Sequence, residues 1–307
     1  MIRENERNQG VNVKRAVVIL SLVTAACSGE ARLDEPRSSA SPTSESASPV
    51  VPIDADDFDP ANFGPDSADV DNPLFPLRPG TRYVWEGSAL EEGEKIERRV
   101  EFIVTDLTKE IAGVKAVVGW DRDYNDDLLG ESELIFYAQD RFGNVWHLGE
   151  YVEHWKEEGE LDGARLWVHG DPVGAEAGIG MHADPRIEHG SYSQGYVPPP
   201  WFWDDDAEVS EVGVRNCVPV GCYEDVVVIK EYEPRFPEIF QLKYYAPGVG
   251  GIRVGWKGSK DEERESMVLT VFEQLSADEL AEVRASVLEQ ENRGLAYGRL
   301  PLAEPRS

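Results

Sequence analysis

Cysteine, methionine and histidine are scarce in this 307-residue chain, at three, three and five copies, and Lys plus Arg number 30 against 59 acids. So few cysteines exclude a disulfide-dense scaffold, and without a second Cys pair there is no Cys-based zinc site. No apolar run reaches the roughly 20 residues that a membrane-spanning helix needs. No basic cluster follows Arg15, and the formal charge is −29. Such a surface repels polyanions, which argues against nucleic-acid binding, and its plain role is solubility.

What is present divides the chain into four parts. Residues 1–26 pair a basic start (Arg3, Arg7, Lys14, Arg15) with the apolar run AVVILSLVTAA, which is the pattern of an export signal. Its end, Thr24-Ala25-Ala26-Cys27-Ser28, resembles the lipobox of bacterial lipoproteins, although Thr24 stands where Leu or Val is usual. The resemblance implies a diacylglyceryl group on Cys27, anchoring the protein to the membrane on the extracytoplasmic face. Ordinary signal cleavage, giving a secreted protein, is the alternative. Residues 27–70 are rich in Ser, Pro and Asp, too poor in apolar side chains to offset the entropy of ordering, and are expected to form a disordered tether reaching roughly 35–40 Å.

From Thr81 the apolar period becomes two. Twelve strands are expected, near 81–87, 96–106, 114–124, 132–139, 144–152, 164–169, 190–196, 208–216, 223–232, 240–246, 251–257 and 265–273. Turns such as Gln139-Asp140-Arg141-Phe142-Gly143-Asn144 imply sequential hairpins. The fold expected for residues 71–275 is an all-β antiparallel meander of about 11–12 strands, forming a curved sheet or an open or half barrel. Residues 276–307 hold one C-terminal helix, signalled by the Ser276/Glu279 capping box and by Leu280, Val283, Val287 and Leu288 at helical spacing, and then a frayed end from Asn292. Its narrow apolar stripe packs on the sheet or plugs a barrel mouth. A weak internal echo sets Phe136-Tyr137-Ala138 beside Tyr244-Tyr245-Ala246, each ahead of a Gly turn and a Trp; convergent hairpin chemistry accounts for it.

The stretch Asn72–Gly87, NPLFPLRPGTRYVWEG, resembles the opening of a family of uncharacterised bacterial lipoproteins with NPxFPLxPGTxWVYEG, and Tyr244–Gly250 resembles its YYAPGVG segment. Tyr137-Ala138-Gln139-Asp140, Gly143-Asn144-Val145-Trp146 and Ala183-Asp184-Pro185 also match. The resemblance implies an extracytoplasmic curved antiparallel sheet and brings no catalytic residues. Prolines at 73, 76 and 79 keep the first half of the opening stretch out of a strand ladder, so it reads as an extended lead-in.

Several stretches invite a chemical reading. Cys217 and Cys222 bracket Val218-Pro219-Val220-Gly221, a turn between two strands, and outside the cytoplasm they are expected to form a disulfide. Ser191-Tyr192-Ser193-Gln194-Gly195 approaches a nucleophile elbow, but Pro198-Pro199-Pro200 follows where a helix must open, so the segment reads as polar strand or loop. Asp121–Asp127 imitates half a calcium loop without its Gly or its closing Glu and reads as a solvated hairpin tip. His147, His154, His169, His182 and His189 fall close together, yet their spacing does not converge three ligands, and no metal is assigned. Trp201, Phe202 and Trp203 follow the prolines and precede three aspartates. They are taken as a ligand-binding patch, with burial as a lid over the sheet, or membrane insertion, as the alternatives.

No catalytic residue and no cofactor is assigned. The expected function is a monomeric, non-catalytic binding or carrier lipoprotein for a hydrophobic ligand. The alternatives are an envelope interaction protein that meets a basic partner, and a metal-dependent or serine hydrolase.

Overall fold

The computed structural model describes residues 58–91, 94–258, 265–294 and 302–306. The signal, Cys27 and the tether up to residue 57 lie outside the described residues.

Among the described residues fourteen strands occur in one sheet: β1 (Thr81–Glu91), β2 (Glu94–Ile111), β3 (Val114–Asn125), β4 (Leu128–Gln139), β5 (Val145–Trp155), β6 (Leu161–Val168), β7 (Glu176–Met181), β8 (Ser191–Val197), β9 (Trp203–Val218), β10 (Gly221–Tyr232), β11 (Phe240–Ala246), β12 (Gly250–Lys257), β13 (Ser266–Gln274) and β14 (Glu304–Pro305). The twelve expected strands are present. Two were not foreseen: β7, whose EAGIGM sequence is short and Gly-interrupted, and the two-residue β14. β1 pairs with β13 on one side and with β2 on the other, the latter in register from Arg82↔Ile103 to Glu91↔Glu94. Twelve strands thereby close into an antiparallel barrel, with β6 branching from β5 and β14 lying along β2. Closure removes the free edges that an open sheet would have to protect.

The one α-helix among the described residues, α1 (Ala277–Arg293), starts from the expected capping box at Ser276 and Glu279. It lies on the outer wall, not in a mouth. Val287 is fully buried, and Gln290 is keyed into the wall by Trp120 Nε1 at 3.0 Å and by its own amide donating to the Ser132 carbonyl at 2.9 Å. Beside it Lys109 Nζ and Glu291 Oε1 pair at 2.5 Å with both side chains buried, and Arg293 donates to Glu153 at 2.9 Å. The end expected to fray is held where it is described: Ala303 donates its N–H to Glu291 at 2.9 Å, and β14 pairs with Leu107 and Thr108.

Residues 58–70, placed in the tether by composition, are packed. Phe58 and Phe63 meet the Trp146 ring at 5.5 and 6.2 Å, Ala68 and Val70 are buried, and Ser67 Oγ donates to the Lys115 carbonyl at 2.7 Å. A few aromatic anchors outweigh a polar composition when a finished sheet is there to receive them.

Candidate functional site

The extended lead-in Asn72–Pro79 closes one end of the barrel. Asn72 holds it: its amide donates to the carbonyls of Gly143 at 3.0 Å and His182 at 3.1 Å, its side-chain oxygen accepts from Leu74 N–H, and its own N–H donates to Gln139. Gly248 N–H reaches the Pro73 carbonyl at 2.7 Å, and the Tyr83 hydroxyl lies within hydrogen-bond distance of the carbonyls of Pro76 and Val249. Asp140 completes the frame by accepting from Asn144 and from Trp146 Nε1. The stretches quoted for the family resemblance therefore meet in space at one end of the barrel.

Above this end, Phe75 points into the barrel between Tyr137, at 5.2 Å, and Tyr245, at 6.0 Å. It floors a cavity of about 270 Å³. The lower wall is aromatic and apolar: Tyr83 and Trp85, stacked at 5.5 Å, with Phe102, Ile135, Tyr137 and Tyr245. Gly119 lets Phe102 lie flat on this wall, because a Cβ there would stand 2.4 Å from the ring. Across the upper part Arg98, on β2, gathers side chains from β3 and from Glu265, just ahead of β13. It bonds Asp123 and Glu265 at 2.5 Å each and Asn125 at 2.9 Å, and Glu265 is bonded in turn by Gln241 at 2.9 Å.

The upper interior is rich in acids. Cross-strand register sets Asp121 opposite Glu133 and Asp123 opposite Glu131 on the inward face. Lys243, on the far wall, pairs with Glu231 at 2.5 Å, and Glu131 pairs with His154 at 3.0 Å. Burial, followed by the Asp123 charge, pushes the Asp121 carboxyl well above the usual range; burial, followed by Glu150 and Asp121, does the same to Glu133. Burial lifts Asp123 to about 7 and Asp205 to about 6. For Lys243 burial opposes the charge, and Glu231 more than restores it, so its pKa is raised. Burial of Tyr137 and Tyr245 raises both phenols. The arrangement is an apolar chamber with carboxyls at one side.

The aromatic patch falls elsewhere. Trp201, Phe202 and Trp203 do not line the cavity. Trp203 packs on Trp167 at 5.3 Å and His147 at 5.7 Å and donates to Asp205 at 2.8 Å, Phe202 lies under Arg235 at 3.9 Å, and Trp201 is exposed beside a narrow crevice of about 10 Å³. Gly195 makes room for the Trp203 ring, whose nearest atom would be 2.5 Å from a Cβ. Trp203 is thus packed among neighbouring rings, whereas Trp201 is exposed.

Cys217 and Cys222 are joined in a disulfide at a paired position of the β9–β10 hairpin. Ser193 lies in strand β8, and its hydroxyl accepts from Gly195 N–H at 3.2 Å. The histidines scatter: His169 accepts from Ala177 N–H, while His182 contacts His189 and Tyr192. Among the described residues no three His, Cys, Asp or Glu side chains form a metal-binding group. The acidic run does not sit at a tip as a whole, because β3 extends to Asn125 and turns Asp121 and Asp123 inward; only Asp126 and Asp127 make the turn, with φ of 49° and 65°. The cavity was not foreseen as a site, although Asp121 and Asp123 are an i, i+2 pair that shares a strand face, as are Glu131 and Glu133 opposite them.

No protein-family model and no curated protein matches this sequence. Two solved structures are similar over part of it. A proposed exported protein with a YmcC-like fold from Bacteroides fragilis NCTC 9343 is 14% identical over 66% of this chain and 99% of its own, with a TM-score of 0.39. A proposed lipoprotein from Parabacteroides distasonis ATCC 8503 is 13% identical over the same shares, 66% and 99%, with a TM-score of 0.37.

Proposed function

We propose that the protein is an extracytoplasmic lipoprotein, anchored through Cys27, whose barrel binds one small, largely apolar molecule and carries out no reaction on it. The observation that carries this reading is the chamber of about 270 Å³ between the Phe75 floor and the Arg98 network, walled by aromatic rings. Its volume lies just below the range of drug-sized sites and well above that of a cavity that holds benzene. A single short chain or ring fits, and a two-chain lipid does not. The signal-like start, the Cys217–Cys222 pair and the two exported or lipoprotein neighbours agree with a place outside the cytoplasm. The ligand-binding role moves from Trp201–Trp203 to the wall around Trp85.

The test is titration of the full chain with n-octanol, followed by calorimetry, in wild type and in Gly251→Leu. Gly251 lines the chamber, and a Cβ there meets Trp85 and Tyr245 at 3.7 and 3.8 Å, so a leucine fills the space. Saturable 1:1 binding that the variant abolishes is expected. No binding to either protein, or equal binding to both, would sink the proposal.

A further inference from the structure

Of the ladders that border the chamber, the one between β12 and β13 is the shortest: among the described residues only Arg253↔Val268 and Val254↔Met267 are paired. Just ahead of that pairing β12 begins with Gly250 and Gly251, which line the chamber without side chains to close the wall. Trp85 reaches across instead, its Nε1 donating to the Gly251 carbonyl at 3.1 Å. Arg253 stands at this seam. It touches the chamber, is half-buried, and holds its guanidinium over the Tyr244 ring at 5.8 Å. Its Nε is buried with no hydrogen-bond partner, and among the described residues it forms no ion pair. The other two cations of the chamber are taken, Arg98 by Asp123 and Glu265 and Lys243 by Glu231. An arginine left over in a chain where acids outnumber bases 59 to 30 is a donor awaiting an acceptor, since buried donors are ordinarily satisfied.

Resting on the proposed apolar binding function, we infer that the ligand ends in a carboxylate, which Arg253 holds at the β12–β13 seam while the apolar body lies against Trp85, Tyr245 and Phe75. A guanidinium donates only, and its planar fork matches the two oxygens of a carboxylate. The seam suits a charged end, because a head held at the wall is spared the full desolvation that burial deep in the chamber would cost. The acids of the lining do not oppose it. Asp123 is held by Arg98, and both oxygens of Glu265 are used, by Arg98 and Gln241. Asp121 stands on β3, four strands further round the wall along β12–β13–β1–β2–β3, where burial, followed by the Asp123 charge, favours its neutral form.

The test compares n-octanoate, n-octanol and n-octylammonium by calorimetry on the full chain near neutral pH, in wild type and Arg253→Gln. The expected result is that octanoate binds wild type at least about tenfold more tightly than octanol, the order of one charge-assisted contact, and that octylammonium binds no more tightly than octanol. In Arg253→Gln the preference for octanoate over octanol should be lost. Arg253→Met, which also removes the charge, is the second variant should the first not fold. Octanoate no tighter than octanol in wild type, tighter binding of octylammonium, or a preference for octanoate that survives loss of the guanidinium would overturn the carboxylate assignment while leaving the apolar chamber standing. Failure of all three probes would overturn both.

Discussion

Asp121 and Glu133 face one another inside the barrel without a cation, and this makes stability depend on pH in a definite direction. Burial and neighbouring acids raise both carboxyls well above the usual range, and burial brings Asp123 to about 7. In the unfolded chain an aspartate titrates near about 4. Below that value both states are protonated and nothing is gained or lost. As pH rises from there toward the elevated folded values, the folded state retains protons that the unfolded state has released, so stability falls. His147 and His182, each lowered to about 4 chiefly by burial, act oppositely, adding stability as pH rises toward the ordinary histidine value of 6.5. The carboxyls should therefore dominate above about pH 6.5, where the histidines no longer change their contribution. The thermal midpoint of wild type should drop over that window. Asp121→Asn should melt higher than wild type at pH 8, by a margin that vanishes near pH 4; a margin independent of pH would contradict this assignment. The acids were legible as i, i+2 pairs, but reading Asp121–Asp127 as solvated ignored that β3 continues through Asn125 to pair with Leu128. Composition treats a carboxylate as surface, and only the register reveals a face that turns inward.

At the scale of elements, α1 and the lead-in are held by polar contacts as well as by apolar burial. Lys109 and Glu291 are both buried and pair at 2.5 Å. Glu291→Ala removes this buried charge-assisted bond together with the acceptor of the Ala303 N–H, so it should cost about 3–5 kcal/mol in denaturant unfolding, while the double variant Lys109→Met/Glu291→Leu should lie closer to wild type. Asn72 satisfies two carbonyls and the Leu74 N–H at once, and Asn72→Ala should lower stability by about 2 kcal/mol by the same measurement. The helix was readable from its capping box and spacing, because those signals are local. That it docks on the wall through Gln290, Glu291 and Arg293 was not readable, since their partners on β2, β4 and β5 lie more than a hundred residues away. The echo of Tyr137 and Tyr245 has a concrete outcome: both rings flank Phe75 in the chamber.

For the molecule as a whole, the number of strands could be read from alternation and turns, whereas closure could not, because it depends on β1 finding both β2 and β13. Closure is what turns a curved sheet into a chamber with a floor. The disulfide plays a smaller part: Cys217 and Cys222 join positions already paired across a short hairpin, so replacing both with serine should lower stability by at most about 2 kcal/mol and leave octanol binding intact. The chamber is the central claim, and native mass spectrometry of the full chain, gently purified from the cells that make it, tests it most directly. The account predicts wild type carrying one added mass smaller than a drug-sized molecule, absent from Gly251→Leu prepared in the same way. Bare wild-type protein, or the same added mass on the variant whose chamber is filled, would contradict it.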